Sequence, residues 1–177
     1  MNNGRLVVLG VDPGTKLTGL AVLEERGHAD LMLTRAQFTS ARGKQESLLD
    51  RFAAVLDVVM CLTQEHGADA VVLETQVSMR GQARINESMF WMIALGALRG
   101  FAALGSEPVL LQCNPASLKL WVAGSGRAST PQVVAAAGAR WPGCGAGQGP
   151  DAVMAYCLAQ MGLALFRQER PPLKLIE

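Results

Sequence analysis

The hydrophobic positions follow two periods, and the switches between them outline an α/β chain. Leu6-Val7-Val8-Leu9-Gly10-Val11 is a continuous apolar run rich in β-branched residues, the pattern of a strand covered on both faces. It ends in Asp12, and Pro13-Gly14 then turns the chain. Lys16 to Glu25 alternates more loosely through Leu17, Gly19, Ala21 and Leu23, near enough to the first strand for an antiparallel hairpin. A third strand is predicted over Ala29–Phe38. The period then changes. Leu48, Leu49, Phe52, Val55, Leu56, Val59, Met60 and Leu62 recur at three- and four-residue spacings. They predict an amphipathic helix from about Gly43 to His66, closed by Gly67.

Ala68–Thr75 reads as a second buried strand, Ala70-Val71-Val72-Leu73, ending in Glu74. Strand, long helix, strand implies a right-handed crossover, so this strand is expected parallel to the first. Asp12 and Glu74 then share one end of adjacent strands. Ser78 to Asn86 reads as a polar loop carrying Arg80 and Arg84, and Glu87 to Leu104 as a strongly apolar helix. Gly96, Ala97 and Gly100 let a neighbouring backbone approach that helix, which must be buried in the core or against a second copy. A strand is predicted over Pro108–Cys113, and a short helix over Ala116–Val122 bearing Lys119 and Trp121. Ser129 caps a helix from about Pro131 to Trp141, and Pro150 opens a last one through Leu165 with Asp151 in its first turn. No repeat or linker divides the chain, so one domain over residues 1–177 is expected.

Composition narrows this little. The chain has 177 residues, half of them hydrophobic and 18% charged, which suits a packed core and argues against disorder. A net charge of +1 does not announce a polyanion partner, but its distribution is uneven: Gln76 to Arg140 holds six cations against two acids. Cys61, Cys113, Cys144 and Cys157 form no C-x-x-C pair, so they read as reduced apolar residues of a cytoplasmic protein. The longest apolar run, Met89 to Leu98, is too short to cross a bilayer, and the N-terminus lacks a signal-peptide pattern.

The candidate chemistry lies at element ends. Ligand crevices of open α/β sheets form at the carboxyl ends of strands, where Asp12 and Glu74 stand. An acid there is partly desolvated and needs a cation or donors. A turn-initiating role for Asp12, a salt bridge for Glu74 and a helix-dipole role for Asp151 remain open alternatives. Gly124-Ser125-Gly126-Arg127 could cradle phosphate, without the spacing of a P-loop or dinucleotide fingerprint.

The element order, three hairpin-like strands followed by helix, strand, helix, strand and terminal helices, resembles the ribonuclease H-like fold: a mixed five-stranded sheet, three strands antiparallel and two parallel, with helices on both faces. The motifs resemble one branch, the RuvC-type Holliday junction resolvases. They are Gly10-Val11-Asp12-Pro13-Gly14 with Thr18-Gly19, Leu73-Glu74, Asn114-Pro115 through Lys119 to Gly124-Ser125-Gly126-Arg127-Ala128 with Gln132-Val133, and Asp151-Ala152. The resemblance covers about Leu6 to Leu165. It implies metal binding by Asp12, Glu74 and Asp151, with two Mg²⁺ ions per site, Mn²⁺ substituting, since clustered carboxylates need hard cations to stay charged together. It implies Lys119 near the scissile phosphate, and DNA contacts by Lys119, Arg127, Arg80, Arg84 and Ser125. It also implies branched DNA as substrate, a homodimer, and recombination or branch-migration proteins as partners.

Three positions depart from the family. Gln148 replaces an acid or histidine three residues before the last aspartate, Thr130 replaces a basic residue, and Val77 replaces an aromatic used against DNA bases. A catalytically weakened binder of branched DNA is therefore a second expectation. Asp12-Pro13-Gly14-Thr15 also resembles the phosphate loop of actin-like ATPases, which need a second domain and a second phosphate motif.

Overall fold

The computed structural model describes residues 5–14, 18–26, 30–36, 48–75, 83–107, 109–142, 144 and 147–176. Strands β1 (Arg5–Asp12), β2 (Gly19–Arg26) and β3 (Asp30–Ala36) precede helix α1 (Leu48–His66) and strand β4 (Ala70–Glu74). Then come α2 (Ala83–Leu104), β5 (Leu110–Cys113), α3 (Pro115–Ala123), α4 (Thr130–Arg140), α5 (Pro150–Phe166) and β6 (Lys174–Leu175). The sheet order is β3-β2-β1-β4-β5-β6. β1, β2 and β3 are antiparallel, and β1, β4 and β5 parallel, as the crossover argument requires.

Two features differ from the sequence reading. α2 begins at Ala83, so residues 83–86 are helix where a polar loop was expected. Ala83 supplies high helix propensity, and the polar residues after it do not break a helix. A sixth strand, the dipeptide Lys174–Leu175, adds antiparallel to β5.

Parity along β1 divides the core. Val7, Leu9 and Val11 face α1 and α2, together with Val71 and Leu73 of β4. Val8 faces α3, α4 and α5, together with Ala70 and Val72. A strand alternates its faces, so Gly10 and Asp12 continue the Val8 side, and Glu74 continues the Val72 side. Both acids therefore belong to the face covered by α5.

α5 is buried at every position from Ala152 to Ala164. It lies unusually close to the sheet: a Cβ on Gly10 would collide with the Ala155 carbonyl and stand 2.6 Å from the Ala159 nitrogen. At its far end Arg167 makes a bidentate pair with Glu25 of β2, at 2.8 and 3.0 Å to Oε1. On the other face Gly96 lets α2 meet the backbone of α1 at Leu56. α2 is not wholly buried. Ile93, Ala97 and Phe101 are in the core, while Trp91, Leu95 and Leu98 are 55%, 40% and 41% exposed along one stripe.

Candidate active site

Asp12 ends β1 and Glu74 ends β4. The parallel register pairs Val11 with Leu73, so the two acids follow as the next residues of adjacent strands. Asp151 reaches the same place from α5. Gly19 pairs with Asp12 across the β1–β2 ladder, and the Asp151 carbonyl fills the position a Cβ on Gly19 would take. The missing side chain thus lets the amino end of α5 rest on the strand pair that carries Asp12. Thr18, which donates from its hydroxyl to the Gly14 carbonyl at 3.4 Å, braces the turn after Asp12.

The electrostatics follow from this crowding. Burial, then the neighbouring Glu74 and Asp151 carboxylates, push the Asp12 carboxyl up to about 8. Burial pushes Glu74 up to about 7, opposed by the Lys119 ammonium. Lys119 is half-buried on α3. That helix is held by Asn114, whose side-chain oxygen accepts from the Ala116 N–H at 2.8 Å, and closed by Gly124 at φ 74. Among the described residues, two buried side-chain oxygens, Glu74 Oε2 and Gln148 Oε1, have no hydrogen-bond partner. Such orphaned acceptors cost free energy unless a donor or cation satisfies them.

Among the described residues no three His, Cys, Asp or Glu side chains already stand close enough together to enclose an ion. The chemistry of the donors nevertheless fits a hard divalent cation: two buried strand carboxyls, Asp12 raised further by its carboxylate neighbours, and buried oxygens of Glu74 and Gln148 without a described hydrogen-bond partner.

The other expected site residues are distributed as follows. Arg127 is exposed on the turn after α3, where its N–H donates to Ser125 Oγ at 3.3 Å, and no described contact ties either residue to the acids. Arg84 lies in the first turn of α2, its side chain outside the described part, while Arg80 and Val77 lie outside the described residues altogether. Thr130 is exposed at the start of α4. All four cysteines are free. Burial pushes the Cys113 and Cys144 thiols up to about 12 and 11, which keeps them protonated and apolar in role.

Sequence pattern alone did not single out the guanidinium of Arg140. It lies 4.3 Å from the Trp121 ring and 4.8 Å from the Trp141 ring, and donates to the Trp121 carbonyl at 3.1 Å. This clamp holds α3, and Lys119 with it, to the end of α4.

Comparison with known proteins decides the family. The model of "Crossover junction endodeoxyribonuclease RuvC" matches residues 8–137. This chain belongs to the RuvC family. Among RuvC proteins, that of Halorhodospira halophila is 30% identical over 129 residues, 71% of each chain. That of Ruegeria pomeroyi is 26% identical over 169 residues, 92% of this chain and 96% of its own. Thermus thermophilus RuvC in complex with a Holliday junction substrate superposes with a TM-score of 0.74 at 21% identity, over 97% of this chain and 99% of that one. The RuvC match thus spans Asp12, Glu74 and Lys119, and α5 with Asp151 lies beyond it.

Proposed function

We propose that this RuvC-family chain is a metal-dependent, structure-selective DNA endonuclease. It resolves four-way junctions by paired phosphodiester hydrolysis in DNA recombination and repair. The observation that carries this reading is the meeting of Asp12, Glu74 and the amino end of α5 on one face of the sheet, with the carboxyls of both strand acids buried and raised. The substrate follows the Thermus relative, whose complex holds a Holliday junction.

In this reading Asp12, Glu74 and Asp151 hold Mg²⁺, with Gln148 as a neutral oxygen donor. Ions held by these residues would supply Lewis acidity, to activate a water for in-line attack and to offset charge on the departing 3′ oxygen. The chain's own part is positional. β1 and β4 fix two carboxylates side by side, and α5 brings the third. Lys119 places a cation beside Glu74, where it offsets charge building on the scissile phosphate. Water oxygen bonds to phosphorus as the bond to the 3′ oxygen breaks, leaving a 5′ phosphate and a 3′ hydroxyl. Arg80, Arg84, Ser125 and Arg127 contact other phosphates.

A four-way junction is nearly two-fold symmetric, so paired cuts call for two sites related by a two-fold axis. The apolar stripe of Trp91, Leu95 and Leu98 on α2 is the face offered to the second copy. The protein acts as one domain, in the cytoplasm, alongside branch-migration or recombination proteins. Among the described residues no helix is long and apolar enough to cross a membrane.

One observation favours a weaker enzyme. Gln148 contributes a buried oxygen without charge, so the second ion is held less tightly than by a carboxylate.

The test compares cleavage of labelled four-way junction, duplex and flap in a Mg²⁺ titration, with Asp12→Asn and Glu74→Gln beside the wild type. Junction-selective nicking that both variants lose while still binding the junction supports the nuclease. Binding without cleavage in Mg²⁺ or Mn²⁺ leaves the weakened binder. Full activity of either variant removes the metal-site assignment.

A further inference from the structure

A second polar site lies at the same end of the sheet as the first, on the opposite face. A cavity of about 340 Å³ is bounded by Thr75, Gln112, Asn114, Ser117, Pro172 and Lys174. Thr75 directly follows Glu74 at the end of β4, and Asn114 directly follows the last residue of β5. The cavity therefore opens at the same carboxyl edge of the sheet as the acids but on the face turned away from α5, since Gln112 alternates with Leu111 and Cys113, which pack on the α5 side. Lys174 is paired with Gln112 across the β5–β6 ladder, and directly opposed residues project to one face.

The lining is rich in donors and, among the described residues, holds no carboxylate. Thr75 spends its hydroxyl proton on the Cys113 carbonyl at 3.0 Å and so serves as wall. Asn114 uses its oxygen to cap α3, which leaves its NH₂ group. The Gln112 amide, the Ser117 hydroxyl and the Lys174 ammonium add donors, one of them charged. Ser117 stands in the first turn of α3, whose dipole adds positive potential. Neutral and cationic donors around an open hollow suit an oxyanion. Phosphates repeat at short intervals along a nucleic acid strand, so a strand that is cut at Glu74 and crosses this edge brings further phosphates to the cavity.

We propose that this cavity seats a backbone phosphate of the DNA strand next to the cleavage site, with Lys174 of the C-terminal strand as its cation. The proposal rests on the nuclease reading and adds to it a phosphate seat built by the sixth strand.

The experiment measures binding of a fluorescent four-way junction, in Ca²⁺ to suppress cleavage, across a range of salt. It uses wild type, Lys174→Ala, Lys174→Arg, Lys174→Glu and Ser117→Ala. Lys174→Ala is expected to bind several-fold more weakly and to reduce the slope of log affinity against log salt by about one. Lys174→Arg keeps both values, Lys174→Glu loses more, and Ser117→Ala weakens binding with the slope unchanged. Lys174 is exposed on an edge strand, so matched melting curves are expected for the set. Wild-type slope and affinity in both Lys174→Ala and Lys174→Glu overturn the phosphate seat while the nuclease stands. A wild-type protein that binds no DNA overturns both.

Discussion

Gly19 stands opposite Asp12 in the sheet, and the carbonyl of Asp151 occupies the space of its absent side chain. One glycine thus links the first and last acids of the proposed site through backbone contact. Gly19→Ala forces α5 away from β2. Overpacking of this kind costs about 1–3 kcal/mol, and here the displaced part is the helix end that carries Asp151. A lower urea midpoint is expected, with a loss of Mg²⁺-dependent cleavage far beyond what the unfolded fraction explains. Cleavage that tracks the folded fraction would show that the contact serves packing alone.

The raised carboxyls make the metal-free protein sensitive to pH. Asp12 moves from 3.8 to about 8 and Glu74 from 4.5 to about 7. Between the unfolded and folded values the folded state binds the extra protons, so stability declines as pH rises from about 4 to about 8 and then levels. Asp12→Asn removes most of that decline. Its melting temperature at pH 8 in chelator should exceed the wild type's by several degrees, with the two converging near pH 4. Added Mg²⁺ should reverse the order at pH 8. Parallel pH profiles in chelator would mean that Asp12 is not held at a raised pKa.

Gln148 offers an oxygen where a carboxylate would offer charge as well. Gln148→Asp should lower the Mg²⁺ concentration needed for half-maximal cleavage and raise the rate, and should sharpen Mg²⁺-induced thermal stabilisation. In the wild type Mn²⁺ should support activity better than Mg²⁺, because it binds such ligands more tightly. Superimposable Mg²⁺ titrations of the two proteins would take Gln148 out of the site.

The stripe on α2 gives a prediction about assembly. A charge at Trp91 or Leu95 lies on the exposed side and leaves Ile93, Ala97 and Phe101 packed. Trp91→Glu should therefore fold and sediment as a monomer at micromolar concentration, where the wild type is expected to sediment as a dimer. It should nick one strand of a junction without the paired second cut. A monomeric wild type, with and without junction DNA, would refute the dimer.

β1 and β4 are legible in sequence because strands buried on both faces are apolar without interruption, and each ends in an acid of the proposed site. The crossover rule then supplies their parallel pairing. The start of α2 is not legible: Arg84 and Asn86 read as loop, and only the structure continues the helix back to Ala83. β6 is hidden because two residues carry no period, and its pairing depends on β5 being in place. The site divides the same way. Asp12, Glu74 and Asp151 mark element ends, whereas the buried oxygen of Gln148, the Arg140 clamp and the Lys174 cavity exist only through tertiary contact.

The tight seat of α5 on Gly10 and Gly19 has a consequence for the life of the chain. Asp151 follows Asp12 by 139 residues and so leaves the ribosome well after it. A nascent chain can build β1 through β5 and hold two acids, yet it has no third until residue 151 has emerged and α5 has docked. The three acids of the proposed site are therefore brought together by the docking of α5, a late tertiary event, and not by the folding of the sheet that carries two of them.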